Sequence, residues 1–397
     1  MTRSMRGSNQ RGMRQFNERT VLQAIRLHGA IPKADLARLT QLSSQTVSVI
    51  VERLLDDGLL LKQERVRGRI GQPSVPLSLN PEGAFSIGVQ VGRRSLEVLV
   101  LDFTGRICHQ HVFHYEYPDP DEVLAHVAEA LKRLRRQMGE RWPRVVGLGL
   151  SAPLFMHQWA ELLGPQAAPA MAKWEGVNLQ ERVQSLTELS VIFAKDTIAA
   201  CTSELLQGHG QQLRSFLYVF VGTFVGGGLV LSGHLLPGER GNAGAIGSLP
   251  LGMAGPGAPA QLLEQASGWQ LEQALMQAGQ DPQLIHEDAI TEPTYQAQVD
   301  PWLATASNAL AMTIASATAL LDLDAVVLDG SLSRGLLDSL LGRTRQSLEA
   351  YPLVGIVRPG RLVMGQVGAH ARALGGALLP LHTQFFPDRD IFLKQDD

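Results

Sequence analysis

The hydrophobic pattern of this chain changes period at Ala84, and no single domain accommodates both patterns. Up to Asn80 the apolar residues recur at helical spacing: Val21, Leu22, Ile25 and Leu27, then Leu36, Ala37 and Leu39, then Val47, Ile50, Val51, Leu54 and Leu55. From Phe85 onward they come in short runs broken at Gly92 and Gly105, which is the pattern of successive strands. A small helical module over residues 1–80 is therefore expected ahead of a mixed body over residues 81–397. At 397 residues the chain is long enough for two or three domains, and 45% apolar against 18% charged residues is a globular balance.

The first module has the signs of a winged helix-turn-helix. Its first helix stops at Gly29, its second runs from Lys33 to Leu39, and Thr40-Gln41-Leu42 is a tight link to a third helix capped by Ser43 or Ser44. Ser44, Gln45 and Ser48 are expected to face outward near the start of that third helix, where a recognition helix meets base edges in the major groove. Glutamine pairs bidentately with adenine, and Thr46 is placed for a phosphate. The alternative for all four is the wet face of an ordinary helix. Leu59-Leu60-Leu61 and Val75 to Leu79 then read as two strands, with Arg65, Arg67 and Arg69 on the hairpin between them. Arginines on such a wing suit a narrow, electronegative minor groove. Charge agrees: residues 1–80 hold thirteen Lys/Arg against six Asp/Glu, the rest of the chain 22 against 32. A basic head on an acidic body points to double-stranded DNA as a partner.

In the body, strands are expected over Phe85 to Gly92, Leu96 to Phe103, Ile107 to His114, Val145 to Leu150, Val191 to Ala194, Phe216 to Gly222, Leu229 to Leu231 and Ala325 to Leu328. Helices are expected over about Asp121 to Met138 and Thr197 to Gln207. Strand meanders alternating with helices, twice over, indicate an α/β body of two lobes. The basic N-terminus lacks a following apolar run, so no signal peptide is expected. The apolar stretch Ala306 to Leu321 carries Ser, Thr and Asn and reads as a core helix rather than a membrane span. Cys108 and Cys201 are the only cysteines, which fits a reducing, cytoplasmic setting.

Motifs along nearly the whole chain carry a resemblance. In the head these are Asn17 with Val21-Leu22, Ala34-Asp35-Leu36-Ala37, Leu42-Ser43, Thr46-Val47-Ser48 and Gly71-Gln72-Pro73 in the wing. In the body they are Val221-Gly222-Thr223-Phe224-Val225-Gly226-Gly227-Gly228, Ala243-Gly244-Ala245-Ile246-Gly247, and Leu263-Glu264 followed by Ser267-Gly268. With these the chain resembles the ROK family (repressor, open reading frame, kinase). The resemblance implies an actin/hexokinase-like body of two lobes, with Gly222, Thr223, Gly226 and Gly227 in a phosphate loop, although the same glycine composition also serves any tight β-hairpin. It also implies a sugar pocket around Asp196, Gly238 and Glu264, with Asp196 at the general-base position. From its own neighbours Asp196 also reads as a helix cap before Thr197.

The departures from the family pattern bear on function. Family kinases place an Asp after the first strand to organise magnesium-bound phosphates; here the segment is Gln90-Val91-Gly92-Arg93-Arg94. A neutral amide is a poor substitute, because hard cations favour anionic oxygen. Arg93 and Arg94 are expected to be exposed in a turn, the other reading being attraction of an anion. Asp329-Gly330-Ser331 replaces a second glycine pair, and Lys195-Asp196 replaces Asn-Asp. Lys195 either recognises an acidic or differently hydroxylated ligand or pairs with Asp196. Ala245-Ile246-Gly247-Ser248 replaces a sugar- and zinc-binding Glu-x-Gly-His, so Ala245 and Ser248 are expected to line a changed pocket. The segment from Gly252 to Leu262 holds no cysteine, so zinc is not expected. Trp174 either stacks on a ligand or belongs to the core.

Three functions follow from these residues. The first is a transcriptional regulator, not an enzyme and without a cofactor, most naturally a repressor responding to a sugar or sugar derivative. Paired half-sites would make it a homodimer or homotetramer. The second is a sugar kinase with a regulatory DNA-binding head and Asp196 as base. The third is a ligand-independent DNA-binding scaffold.

Overall fold

The computed structural model describes residues 10–64, 75–253, 260–351, 354–355 and 357–387. The expected wing residues Arg65, Arg67 and Arg69 lie outside them. The head consists of α1 (Gln10–His28), β1 (Ile31–Pro32), α2 (Lys33–Thr40), α3 (Ser44–Asp56), β2 (Leu60–Lys62) and β3 (Pro76–Leu79), with a small sheet ordered β1-β3-β2. Gly29 ends α1 with φ +72°, and Gln41 takes φ 58° in the turn between α2 and α3. Val21, Leu22, Ile25, Leu36, Val47, Val51 and Leu54 are buried together, as their helical spacing predicts.

The first lobe is built on β4 (Phe85–Val91), β5 (Ser95–Asp102), β6 (Ile107–His114), β7 (Val145–Ala152) and β8 (Val191–Lys195), in the order β6-β5-β4-β7-β8. The pairs β4/β7 and β7/β8 are parallel; β4/β5 and β5/β6 are antiparallel. Helix α4 (Pro120–Met138) covers one face through Val123, Val127, Leu131 and Leu134. Its start is set by Asp119, which accepts from the Asp121 N–H at 3.0 Å, and by Pro120 at the first helical position. Three short helices follow β7: α5 (Trp159–Leu163), α6 (Ala168–Ala172) and α7 (Leu179–Gln184).

The second lobe repeats the topology. After α8 (Asp196–Gln207) come β9 (Phe216–Val221), β10 (Val225–Leu231) and β11 (His234–Leu235). Helices α9 (Leu262–Ala266), α10 (Gly268–Gln277) and α11 (Gln296–Leu321) precede β12 (Ala325–Gly330), α12 (Arg334–Glu349), β13 (Arg361–Met364) and α13 (Ala371–Phe385). The sheet order is β11-β10-β9-β12-β13, again an antiparallel meander continued by two parallel strands. The α/β body of two lobes expected from the strand spacing is thus present. The apolar helix α11 buries Val299, Trp302, Leu303, Ala306, Leu310 and Ile314 in the second-lobe core together with α12, as expected of a core helix.

Between the sheets lie α8 and α13, in contact with each other along their lengths. Their approach depends on glycine: a Cβ at Gly375 would overlap the Ala199 carbonyl oxygen, and one at Gly149 would overlap that of Gly376. The far end of α13 enters the head. Leu378, Leu381 and Phe385 share one apolar cluster with Val21, Leu22 and Ile25 of α1 and with Leu99, Leu101 and Phe103 of the first lobe. Arg26 of α1 lies over Phe386, 4.0 Å from the ring centroid, and Arg19 donates to the Phe386 carbonyl at 3.3 Å.

Candidate functional site

Ser43 is the cap of α3; its Oγ accepts from the Thr46 N–H at 3.1 Å. Its hydroxyl also lies 2.8 Å from Thr46 Oγ1, so the Thr46 hydroxyl is engaged locally. Ser44 and Gln45 are exposed, whereas Ser48 is half-buried. The next outward position after Gln45 is Val49, 62% exposed on an otherwise polar ridge that continues to Glu52. Val49 is not among the residues singled out from the sequence on this face. Its spacing of four from Gln45 is the signal that finds it.

The second site is the crevice at the carboxyl ends of the parallel strands, where ligands bind in open α/β sheets. Register brings Gln90 of β4 beside Ser151 of β7, and Ala152 beside Lys195 of β8. Gln90 and Lys195, together with residues of the second lobe, line a cavity of about 870 Å³. Asp196, first residue of α8, is buried; its Oδ1 accepts from the Thr197 N–H at 2.8 Å, and its Oδ2 lies 3.8 Å from Arg372 Nη1. Arg372 stands at the start of α13, with its guanidinium over the Phe220 ring. Its place beside Asp196 had no signature in sequence. Lys195 turns instead to Asn242, donating to Oδ1 at 2.9 Å, and burial pulls its ammonium below the ordinary lysine pKa. Of the two readings of Lys195, the pair with Asp196 is not formed.

Of the other expected pocket residues, Ala245 and Ser248 line the cavity, but Gly238 and Glu264 do not. Glu264 is exposed and accepts from the Gln261 N–H at 3.3 Å, closing a capping box on α9. Gly238 takes φ +78° in the exposed turn that carries Asn242 to Lys195. Trp174 is buried in the first-lobe core and donates to the Pro118 carbonyl at 2.5 Å.

The glycine run differs from the expected loop. Thr223 and Gly226 reach the cavity wall, Gly222 and Gly227 do not, and Gly226, Gly227 and Gly228 are paired residues of β10, not loop. Helix packing accounts for them: a Cβ at Gly226 would stand 2.8 Å from Thr197 Cγ2, and one at Gly228 2.5 Å from Cys201 Cβ. The Val225 N–H is taken by Ser267 Oγ at 2.9 Å, and the carbonyls of Gly222 and Thr223 accept from the first two amides of α10.

Arg93 and Arg94 are not an exposed turn. Arg93 is 7% exposed, with its guanidinium 4.6 Å from the Trp269 ring centroid. Burial, and then Arg94, push its pKa down to about 10. Arg94 donates to the buried Glu272 at 2.6 Å. Both partners belong to α10, so the β4–β5 turn of the first lobe grips the second.

A helix-turn-helix head seated on the interlobe helix of a two-lobed, sugar-kinase-like body defines a DNA-binding transcriptional regulator. Residues 17–60 match the family model described as winged helix-turn-helix DNA-binding, and residues 86–382 match that of the ROK family. The chain belongs to the ROK family. The xylose repressor of Bacillus subtilis is 22% identical over 63% of this chain and 64% of its own length. The crystal structure of a ROK family transcriptional regulator, homologous to the Escherichia coli MLC protein, superposes with a TM-score of 0.69 at 22% identity, covering 94% of this chain and 98% of that one. The ROK family glucokinase from Streptomyces griseus, in complex with glucose and AMPPNP, superposes with a TM-score of 0.59 at 21% identity, over 75% of this chain and 99% of its own.

Proposed function

We propose that this protein is a cytoplasmic, homo-oligomeric repressor whose grip on DNA is set by a sugar or sugar derivative bound between its lobes. Residues 1–80 read the operator through Ser44, Gln45, Thr46 and Ser48, with Val49 added and Arg65, Arg67 and Arg69 on the wing. Residues 81–397 bind the effector, with Asp196, Lys195, Ala245 and Ser248 among its contacts, and assemble the oligomer. The observation that carries this reading is α13: Arg372 at its start stands beside Asp196 in the cleft, and Phe385 at its end lies in the head's apolar cluster. A ligand that favours one lobe arrangement thereby favours one head position, and only that difference in affinity transmits the signal. A sugar effector is also suggested by the name of the Bacillus subtilis relative, a xylose repressor.

The residues present do not fit a magnesium nucleotide. Gln90 offers an amide where a carboxylate is needed, the adjoining turn carries two arginines, and Gly226 to Gly228 are locked in β10. The reading is therefore of a protein that does not phosphorylate its ligand. A mobility-shift titration of its promoter DNA with a panel of sugars, beside an ATP-consumption assay on the same panel, tests it. Release of DNA by a sugar without ATP consumption is the expected result. Phosphorylation abolished by Asp196→Asn would overturn it in favour of a kinase, and DNA binding indifferent to every sugar would favour a scaffold.

A further inference from the structure

The cleft has a surplus of donors. Gln90, Arg93, Arg94, Thr197 and Arg372 all belong to the wall of this one cavity, and Gln90 Nε2, Arg93 Nε and Nη1, Arg94 Nε, Arg372 Nε and Thr197 Oγ1 are buried without a hydrogen-bond partner among the described residues. Five of these six atoms can only donate. Leaving buried guanidinium N–H groups without acceptors is costly, which makes a concentration of them in one cavity a mark of a missing acceptor. The lining contains five Lys/Arg against three Asp/Glu. All three carboxylates are already engaged: Glu97 by Gln110 and His370, Asp288 by the Gly335 N–H, and Asp196 by the Thr197 N–H and Arg372.

The donors sit close together for reasons visible in the fold. Gln90 is 2% exposed, and its amide lies against the turn that bears the arginines, because a Cβ at Gly92 would stand 3.0 Å from Gln90 Nε2. Arg93 is held from behind by Trp269, which fixes the plane of the guanidinium without using its N–H groups. Arg94 is fixed by Glu272 through Nη2, leaving Nε free. Planar, pre-oriented guanidinium groups beside an amide donor match the oxygens of a phosphate monoester or a carboxylate.

We propose that the effector is anionic: a sugar phosphate or sugar acid whose charged oxygens are received by Gln90, Arg93 and Arg94 while its hydroxyls reach Asp196. This deepens the sensor reading above and rests on it. Strand spacing makes the geometry workable, since Gln90 and the β8 end that leads into Asp196 are separated by one strand, about 10 Å across the sheet. A hexose with an anionic group at one end spans most of that distance.

The test is calorimetric titration of the full-length protein with neutral hexoses and pentoses, their phosphates, their uronic and aldonic acids, inorganic phosphate and ATP. At least one acidic sugar is expected to bind about tenfold or more tightly than its neutral parent. Gln90→Glu keeps the side chain's size and turns its donor end into a repelling carboxylate, so the ratio should fall towards one. Arg93→Met should lower it too, and a melting curve for each variant establishes that it is folded. Equal affinity for neutral and acidic sugars, or a ratio untouched by Gln90→Glu, overturns the proposal. So does binding of ATP or of phosphate alone as tightly as the best sugar derivative. A neutral sugar that releases DNA would sink the anionic effector and leave the sensor standing, whereas silence from the whole panel sinks both.

Discussion

Arg26 of the head lies 4.0 Å from the ring centroid of Phe386, the residue that follows the last helix of the body. Phe103 of the first lobe closes the other side at 5.6 Å, and burial pushes the Arg26 pKa down to about 10, so the guanidinium stays charged at neutral pH. A desolvated cation over aromatic rings contributes about 1–2 kcal/mol. Head and body therefore share a core and a cationic pin rather than a loose linker.

Arg26→Met should keep most of the apolar packing and lose the pin. We expect a stability loss of about 1–2 kcal/mol by denaturant titration. If α13 carries the ligand signal, effector-dependent release of DNA should weaken more than DNA affinity measured without effector. Equal loss in both would mean that Arg26 serves the fold alone.

Two helical glycines, one between the lobes and one in α12, give opposite expectations according to their surroundings. Gly375→Ala would drive a methyl group into the Ala199 carbonyl, with backbone on both sides and no flexible side chain to yield. Forced overpacking of this kind costs about 1–3 kcal/mol or more. Gly342 in α12 has nothing within 4 Å of its would-be Cβ. Gly342→Ala should therefore stabilise the protein by about 0.5–1 kcal/mol through helix propensity. Thermal melts of the two variants check both signs at once.

These contrasts show what the sequence made legible. Strand and helix positions in the body followed from apolar runs and glycine breaks, and β4, β5, β6 and α4 lie within a residue or two of expectation. Local periodicity is sufficient there because each element buries one face. Where spacing has two explanations, the sequence misleads: Gly226 to Gly228 look like an anion loop but serve the approach of α8 to β10. Long-range partners leave no local trace. Nothing near Arg93 announces Trp269, nothing near Asp196 announces Arg372, and Glu264 matched a motif while its side chain capped its own helix.

His370 makes stability depend on pH. Its Nδ1 lies 2.7 Å from Glu97 Oε1, and this hydrogen bond raises the His370 pKa above the ordinary imidazole value. A raised folded-state pKa stabilises the fold at pH below the unfolded value, about 6.5, and the contribution is lost as pH climbs through the folded value. The side chain is 52% exposed, so solvent screening keeps the effect below about 1 kcal/mol. Stability measured from pH 6 upward should fall more in the native protein than in His370→Gln. Identical slopes would remove the pair from the account.

Gln45 and Val49 should carry sequence readout at the exposed start of α3. An amide reads adenine through two hydrogen bonds and a small apolar side chain meets the thymine methyl group, so the ridge favours A·T pairs at neighbouring positions. Gln45→Ala is expected to cost about 1–3 kcal/mol of discrimination at one base pair while leaving non-specific binding nearly intact. Val49→Ser should relax preference at the adjacent pair by less, since it removes contact and no hydrogen bond. Replacing Lys33, which reaches Glu52 at 3.7 Å on the same side of the head, with Gln should weaken all DNA sequences alike if it contacts phosphate, and flatten the salt dependence of binding. Binding to operator variants at two salt concentrations separates these outcomes. A uniform loss from Gln45→Ala across every base substitution would place that side chain on the backbone of the DNA and remove it from recognition.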